Sequence, residues 1–216
     1  VPAADKARLT PDDYDVPLQA AAARPLDTAL RGARALAALG DGRAFALLLQ
    51  LSREEIPAAR VEVCRALAAL NDPRAVTRLR SLLADPDGSV RDAAYSALAK
   101  IEADPLAAAS AGLTAAAEDV RRRGLQTLVE ALRAGGAKPG PGRDLLALAL
   151  NDAAAGVRAE AWKAALNLKV DGGGEPTLRF ALKSVHPDVR REVLTEVTAQ
   201  AAEPWATPLL YEFFND

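Results

Sequence analysis

Methionine is missing altogether from this 216-residue chain, cysteine and histidine occur once each, and aromatic side chains make up only 4% of it. Each shortage excludes something. Cys64 has no second cysteine to pair with, so intrachain disulfides are impossible and a reducing compartment is permitted. Cys64 and His186 are too few soft ligands for a transition-metal site, so no metal, cofactor or catalytic residue is assigned, and a protein that is not an enzyme is expected. Charge of neither sign dominates: 27 basic residues face 29 acidic ones, a net of −2. No overall field draws in nucleic acid or an anionic membrane, and any such binding must be local. The longest uncharged run, Pro105 to Ala117, is shorter than a membrane span, and no secretory hydrophobic region is visible. A cytoplasmic location away from membranes is expected. The start at Val1-Pro2, without methionine, reads as a segment of a larger multidomain protein.

What the chain has in quantity is alanine, leucine and arginine, with few β-branched residues, which favours closely packed helices over sheet. The stretch from Asp85 to Ile101 opens with a turn and continues with Val90, Ala94, Ala97, Leu98 and Ile101 at helical spacing. Degenerate copies of it recur along the chain. Aligned on Val90, the copies have anchors at Thr28, Ala59, Val90, Val120, Val157 and Val189, spaced 31, 31, 30, 37 and 32 residues apart. Such a period marks a stacked array of helical units. Shorter helices begin near Gly42, Pro73, Pro105, Pro141, Pro176 and Pro204, five of them with a proline whose missing N–H costs nothing at a helix start.

Residues 1–25, broken by four prolines, read as an N-terminal arm or linker, its Asp12, Asp13 and Asp15 around Tyr14 as a solvated acidic group. Residues 26–216 read as the repeat array, with signature helices near 26–39, 57–70, 88–101, 119–133, 155–169 and 187–201. The last repeat is incomplete: Phe214-Asn215-Asp216 matches Leu150-Asn151-Asp152, after which the earlier copy continues into a signature helix. Gly135 to Gly142 is an insertion that accounts for the 37-residue spacing. It lacks the order of a phosphate-binding loop and follows a helix instead of a strand.

Acidic residues stand six positions before signature arginines in three copies: Glu54 before Arg60, Asp85 before Arg91 and Asp152 before Arg158. Arg121 and Arg190 follow Ala115 and Ser184 at the same offset, so the pairing is expected to be absent there. With these motifs the chain resembles HEAT repeats, of the short bacterial kind found also in phycobilisome lyases. The resemblance implies an all-α, right-handed α-solenoid of about six stacked antiparallel helical hairpins. It also implies that the turn acids and second-helix arginines form a structural ladder, within which Arg91 is expected to be a partner of Asp85.

In such stacks the second helices line the concave surface. Counted from each anchor, offsets 2, 3, 6 and 10 point outward and collect eight basic residues, Arg31 and the cations below, against Glu62, Asp92, Glu130, Glu160 and Glu192. The candidate partner-binding surface is therefore Arg34, Arg65, Lys100, Arg122, Arg123, Lys163 and Arg191, flanked by Tyr95 and Trp162. The expected function is a non-catalytic protein–protein interaction scaffold, whose partner is another protein or adjacent domains of the same polypeptide. Two alternatives are a nucleic-acid binder with a cleft like that of HEAT-like DNA glycosylases and a bilin lyase or isomerase.

Overall fold

The computed structural model describes residues 26–135 and 140–215. The arm, the middle of the inserted loop and Asp216 lie outside the described residues. Twelve α-helices and one short 3₁₀ helix, Val170–Gly172, make up the secondary structure of the described residues, with no strand among them. The chain divides into two compact units, Val1–Ala103 and Asp104–Asp216. The first holds α1 (Leu26–Leu39), α2 (Arg43–Leu51), α3 (Pro57–Leu70), α4 (Ala75–Leu82) and α5 (Gly88–Ile101). The second holds α6 (Pro105–Leu113), α7 (Glu118–Gly135), α8 (Pro141–Leu150), α9 (Ala155–Leu168), α10 (Glu175–Leu182), α11 (Pro187–Ala199) and α12 (Ala206–Asn215). The fold is all-α, of the solenoid class.

Long and short helices alternate. The odd-numbered helices run 13 to 18 residues and the even-numbered ones 8 to 10. Local chemistry sets several of these boundaries. Asp87 caps α5 by accepting hydrogen bonds from the amides of Ser89 at 2.8 Å and Val90 at 3.3 Å, and Asp104 caps α6 through the Leu106 amide at 2.9 Å. Proline occupies the first turn of α3, α6, α8, α10 and α11. Asn71, at φ 55°, ends α3 in the left-handed conformation that asparagine tolerates.

In the first unit α3 packs against both α1 and α5, and in the second α9 packs against both α7 and α11, so within each unit the long helices form a layer. The short helices α6, α8, α10 and α12 of the second unit pack in sequence behind it. The anchors Ala59, Val90, Val120, Val157 and Val189 are all buried, while Thr28 is half-buried. Alanine and glycine let these helices approach closely. A Cβ added at Gly124 on α7 would stand 2.6 Å from the backbone nitrogen of Leu113 and 2.7 Å from the carbonyl carbon of Gly112 on α6. Only glycine fits there.

Candidate functional site

The signature arginines tie consecutive repeats together. Arg60 at the start of α3 donates from Nη1 to the carbonyl oxygens of Glu54 and Glu55, both at 2.8 Å. Its Nε and Nη2 form a fork on the Asp85 carboxylate, 2.8 Å each, and Asp85 belongs to the next repeat. Arg121 repeats the arrangement with the carbonyls of Ala115 and Ala116 and the carboxylate of Asp152. Arg158 does so with the carbonyls of Asp152 and Ala153 and the carboxylate of Asp188. The expected pairing within a repeat is corrected by this geometry. The six-residue offset brings each arginine to a backbone carbonyl, for which the side chain at that position is irrelevant, and the carboxylate comes from the repeat after. Arg91 therefore takes the carbonyl oxygens of Asp85 and Pro86, at 2.8 and 3.0 Å, and Glu54 contributes its carbonyl. Arg121 and Arg190, which have no acid six residues back, bind those carbonyls all the same.

The electrostatics follow the contacts. Burial opposes ionisation of Asp85, but the Arg60 hydrogen bonds, the Asp87 amide and the Arg60 charge together hold its carboxyl below the usual range. The Asp85 hydrogen bonds raise Arg60 in turn, against burial. Asp188 is lowered first by its bond to Arg158. It substitutes for Ser184, which holds the turn position of Asp152 but donates instead to the Leu150 carbonyl at 2.9 Å and to Asn151 Oδ1 at 3.1 Å.

Tyr95, 2% exposed, does not flank an open surface as expected, and Trp162, 6% exposed, reaches one only with an edge of its ring. The reason is helical register. Each stands one turn after a ladder arginine, Arg91 or Arg158, on the same side of its helix, and on α9 that side faces the next repeat. Cys64, one turn after Arg60, is fully buried for the same reason, and burial pushes its thiol up to about 12. His186 is half-buried and precedes α11, where its amide meets Ser184 Oγ. Among the described residues no three His, Cys, Asp or Glu side chains are grouped to hold a metal, and no helix is long and apolar enough to cross a membrane.

Five of the outward cations, Arg31, Arg34, Arg65, Lys163 and Arg191, fall on grooves between successive long helices. In the first unit, Arg31, Arg34 and Arg65 line a groove of about 540 Å³ floored by Ala35, Ala38, Ala66 and Ala69. Arg34 and Arg65 share the Glu62 carboxylate at 2.8 and 2.6 Å, and Arg31 pairs with Asp27 at 2.7 Å. In the second unit, Arg122 contacts Glu118 at 2.9 Å and Glu160 at 3.7 Å. Lys163 lines two grooves there, one of about 300 Å³ against α7 and one of about 380 Å³ against α11. The latter brings Lys163 together with Arg191 and the edge of Trp162. Lys100 and Arg123 are exposed on α5 and α7.

At the far end of the second unit, Arg179, Leu182, Lys183, Leu209, Glu212 and Phe213 surround a groove of about 520 Å³, bridged by an Arg179–Glu212 ion pair. Val185, Tyr211 and Phe214 are each about 70% exposed.

The family model described as HEAT repeats matches residues 14–99 and 45–133 of the chain. Among solved structures, the crystal structure of an engineered protein is similar at 22% identity and a TM-score of 0.44, with 84% of this chain and 93% of that one covered. No curated protein matches.

Proposed function

The chain belongs to the HEAT-repeat family, and from that premise we propose that it is a non-catalytic interaction scaffold which receives another protein, or adjacent domains of its own polypeptide, on the long-helix face of each unit. The observation that carries this reading is a division of labour among its arginines. Arg60, Arg121 and Arg158 are 11 to 15% exposed and spent on holding repeats together, whereas Arg34, Arg65 and Arg122 are 44 to 68% exposed and make only surface ion pairs. Surface pairs of that kind contribute about 0–1 kcal/mol each. The fold therefore does not need these side chains, which leaves them for recognition. A cytoplasmic setting fits the single buried thiol.

The test is quantitative capture from a host lysate by the immobilised protein and by a variant carrying Arg65→Ala, Arg122→Ala and Lys163→Ala together. Capture is expected to fall with the thermal midpoint unchanged. Equal capture by both proteins would overturn the assignment of these faces.

A further inference from the structure

The grooves on the two units differ in how far their charges are already neutralised. In the groove between α1 and α3, every lining arginine has an acid within 2.8 Å. The groove between α9 and α11 is different. Its wall holds three cations, Arg158, Lys163 and Arg191, and two anions, Asp188 and Glu192. Arg158 and Asp188 close on each other in a fork with distances of 2.5 to 3.1 Å. That leaves Lys163 on the α9 bank and Arg191 on the α11 bank, neither with an acid within 4 Å among the described residues, against Glu192 alone. Between the banks the lining is apolar: Ala155, Ala159, Val189 and the edge of Trp162. Cations on both sides of a narrow apolar floor, beside the edge of an indole, match a carboxylate-bearing chain that also brings one apolar side chain.

We propose that this groove binds an acidic peptide segment of a partner protein, with its carboxylates on Lys163 and Arg191 and an apolar side chain resting on Trp162 and Val189. The inference rests on the scaffold reading and names the partner chemistry at one of its surfaces. A nucleic acid fits less well. The groove of about 380 Å³ has room for one side chain, not a strand, and its net excess of one positive charge is too small for the several phosphate contacts on which nucleic-acid affinity rests.

Trp162 makes the test direct. In a Trp205→Phe background it is the only tryptophan, so its emission reports the groove. The probe is an acetylated, amidated peptide with one phenylalanine flanked on each side by two glutamates, and the controls are the same peptide with lysines for glutamates and a 12-base-pair DNA duplex. Saturable change in emission with the acidic peptide is expected, with none from the lysine peptide. Lys163→Glu and Arg191→Glu are each expected to weaken binding by about tenfold, with the thermal midpoint retained because neither side chain is buried. No saturable signal at millimolar peptide, equal binding by the charge-reversed variants, or tighter binding of the duplex that competes with the peptide would each overturn the proposal. Failure of this assignment is distinguishable from failure of the scaffold reading. If the triple variant loses capture while Arg191→Glu does not, this groove is wrong and the scaffold stands. If neither loses it, the scaffold reading itself falls.

Discussion

Replacing Asp85 with alanine removes the carboxylate that closes the Arg60 rung of the first unit. Three hydrogen bonds disappear with it: Arg60 Nε and Nη2, at 2.8 Å each, and the Asp87 amide at 3.0 Å. The side chains are 11% and 6% exposed, so water replaces the lost partner poorly. Removing one member of a buried pair costs about 3–5 kcal/mol. Arg60 keeps its two carbonyl partners, which places the expected loss at the lower end, about 3 kcal/mol. Urea unfolding followed by far-UV circular dichroism measures it. A double variant, Arg60→Met with Asp85→Leu, replaces the pair by apolar groups and is expected to lose less than Asp85→Ala alone. The pH dependence has a fixed sign. Because the folded Asp85 carboxyl lies below its unfolded value, the folded state binds fewer protons. Its contribution is therefore complete above the unfolded value of about 4 and is lost as pH falls through the folded value. The gap between wild type and Asp85→Ala must narrow over that acid range. Losses under about 1 kcal/mol, additive in the double variant, are the behaviour of an exposed ion pair and would refute the reasoning.

Gly124→Ala forces a methyl group against the backbone of α6, where no side chain can swing away, and is expected to cost about 1–3 kcal/mol. Thermal unfolding followed by tryptophan emission, from Trp162 and Trp205 in the same unit, reads it out. Cys64, with its thiol pushed up to about 12, is expected to resist labelling by a thiol reagent at pH 8 in the folded protein and to react promptly in urea. Rapid labelling of the native chain would contradict its burial.

The helical fold and the repeat were legible in the sequence because both rest on periodicity, and a 3.6-residue apolar pattern repeated at intervals of 30 to 37 residues admits few other architectures. Gly124 stands four residues after the Val120 anchor, and a glycine there goes with the close helix approach that the Gly112–Gly124 contact supplies. The ladder was only half legible. Its arginines stand out, but their partners lie 25 to 31 residues away, in the repeat that follows. The nearer acids formed a decoy, since the six-residue offset expresses a bond to the backbone. Asp188 had a signal available: it opens a helix directly after Pro187, in the copy where serine occupies the usual acid position.

Register explains why the candidate surface was harder to read than the fold. Around a long helix, the anchor and the position four residues on face the core, while positions one and five after the anchor turn toward the neighbouring repeat. An arginine at the first of these belongs to the ladder and an aromatic at the second is buried, however much both look like binding residues in a linear sequence. The next positions round, two and six, are among those that reach the open side. On α9 these are Ala159 and Lys163, and on α11 Arg191 holds position two. The three meet in one groove because α9 presents its trailing flank to the leading flank of α11. A binding site of this kind is composed from different faces of successive helices. A pattern counted within one repeat misses it, whereas the pairing of position six in one repeat with position two in the next would find it.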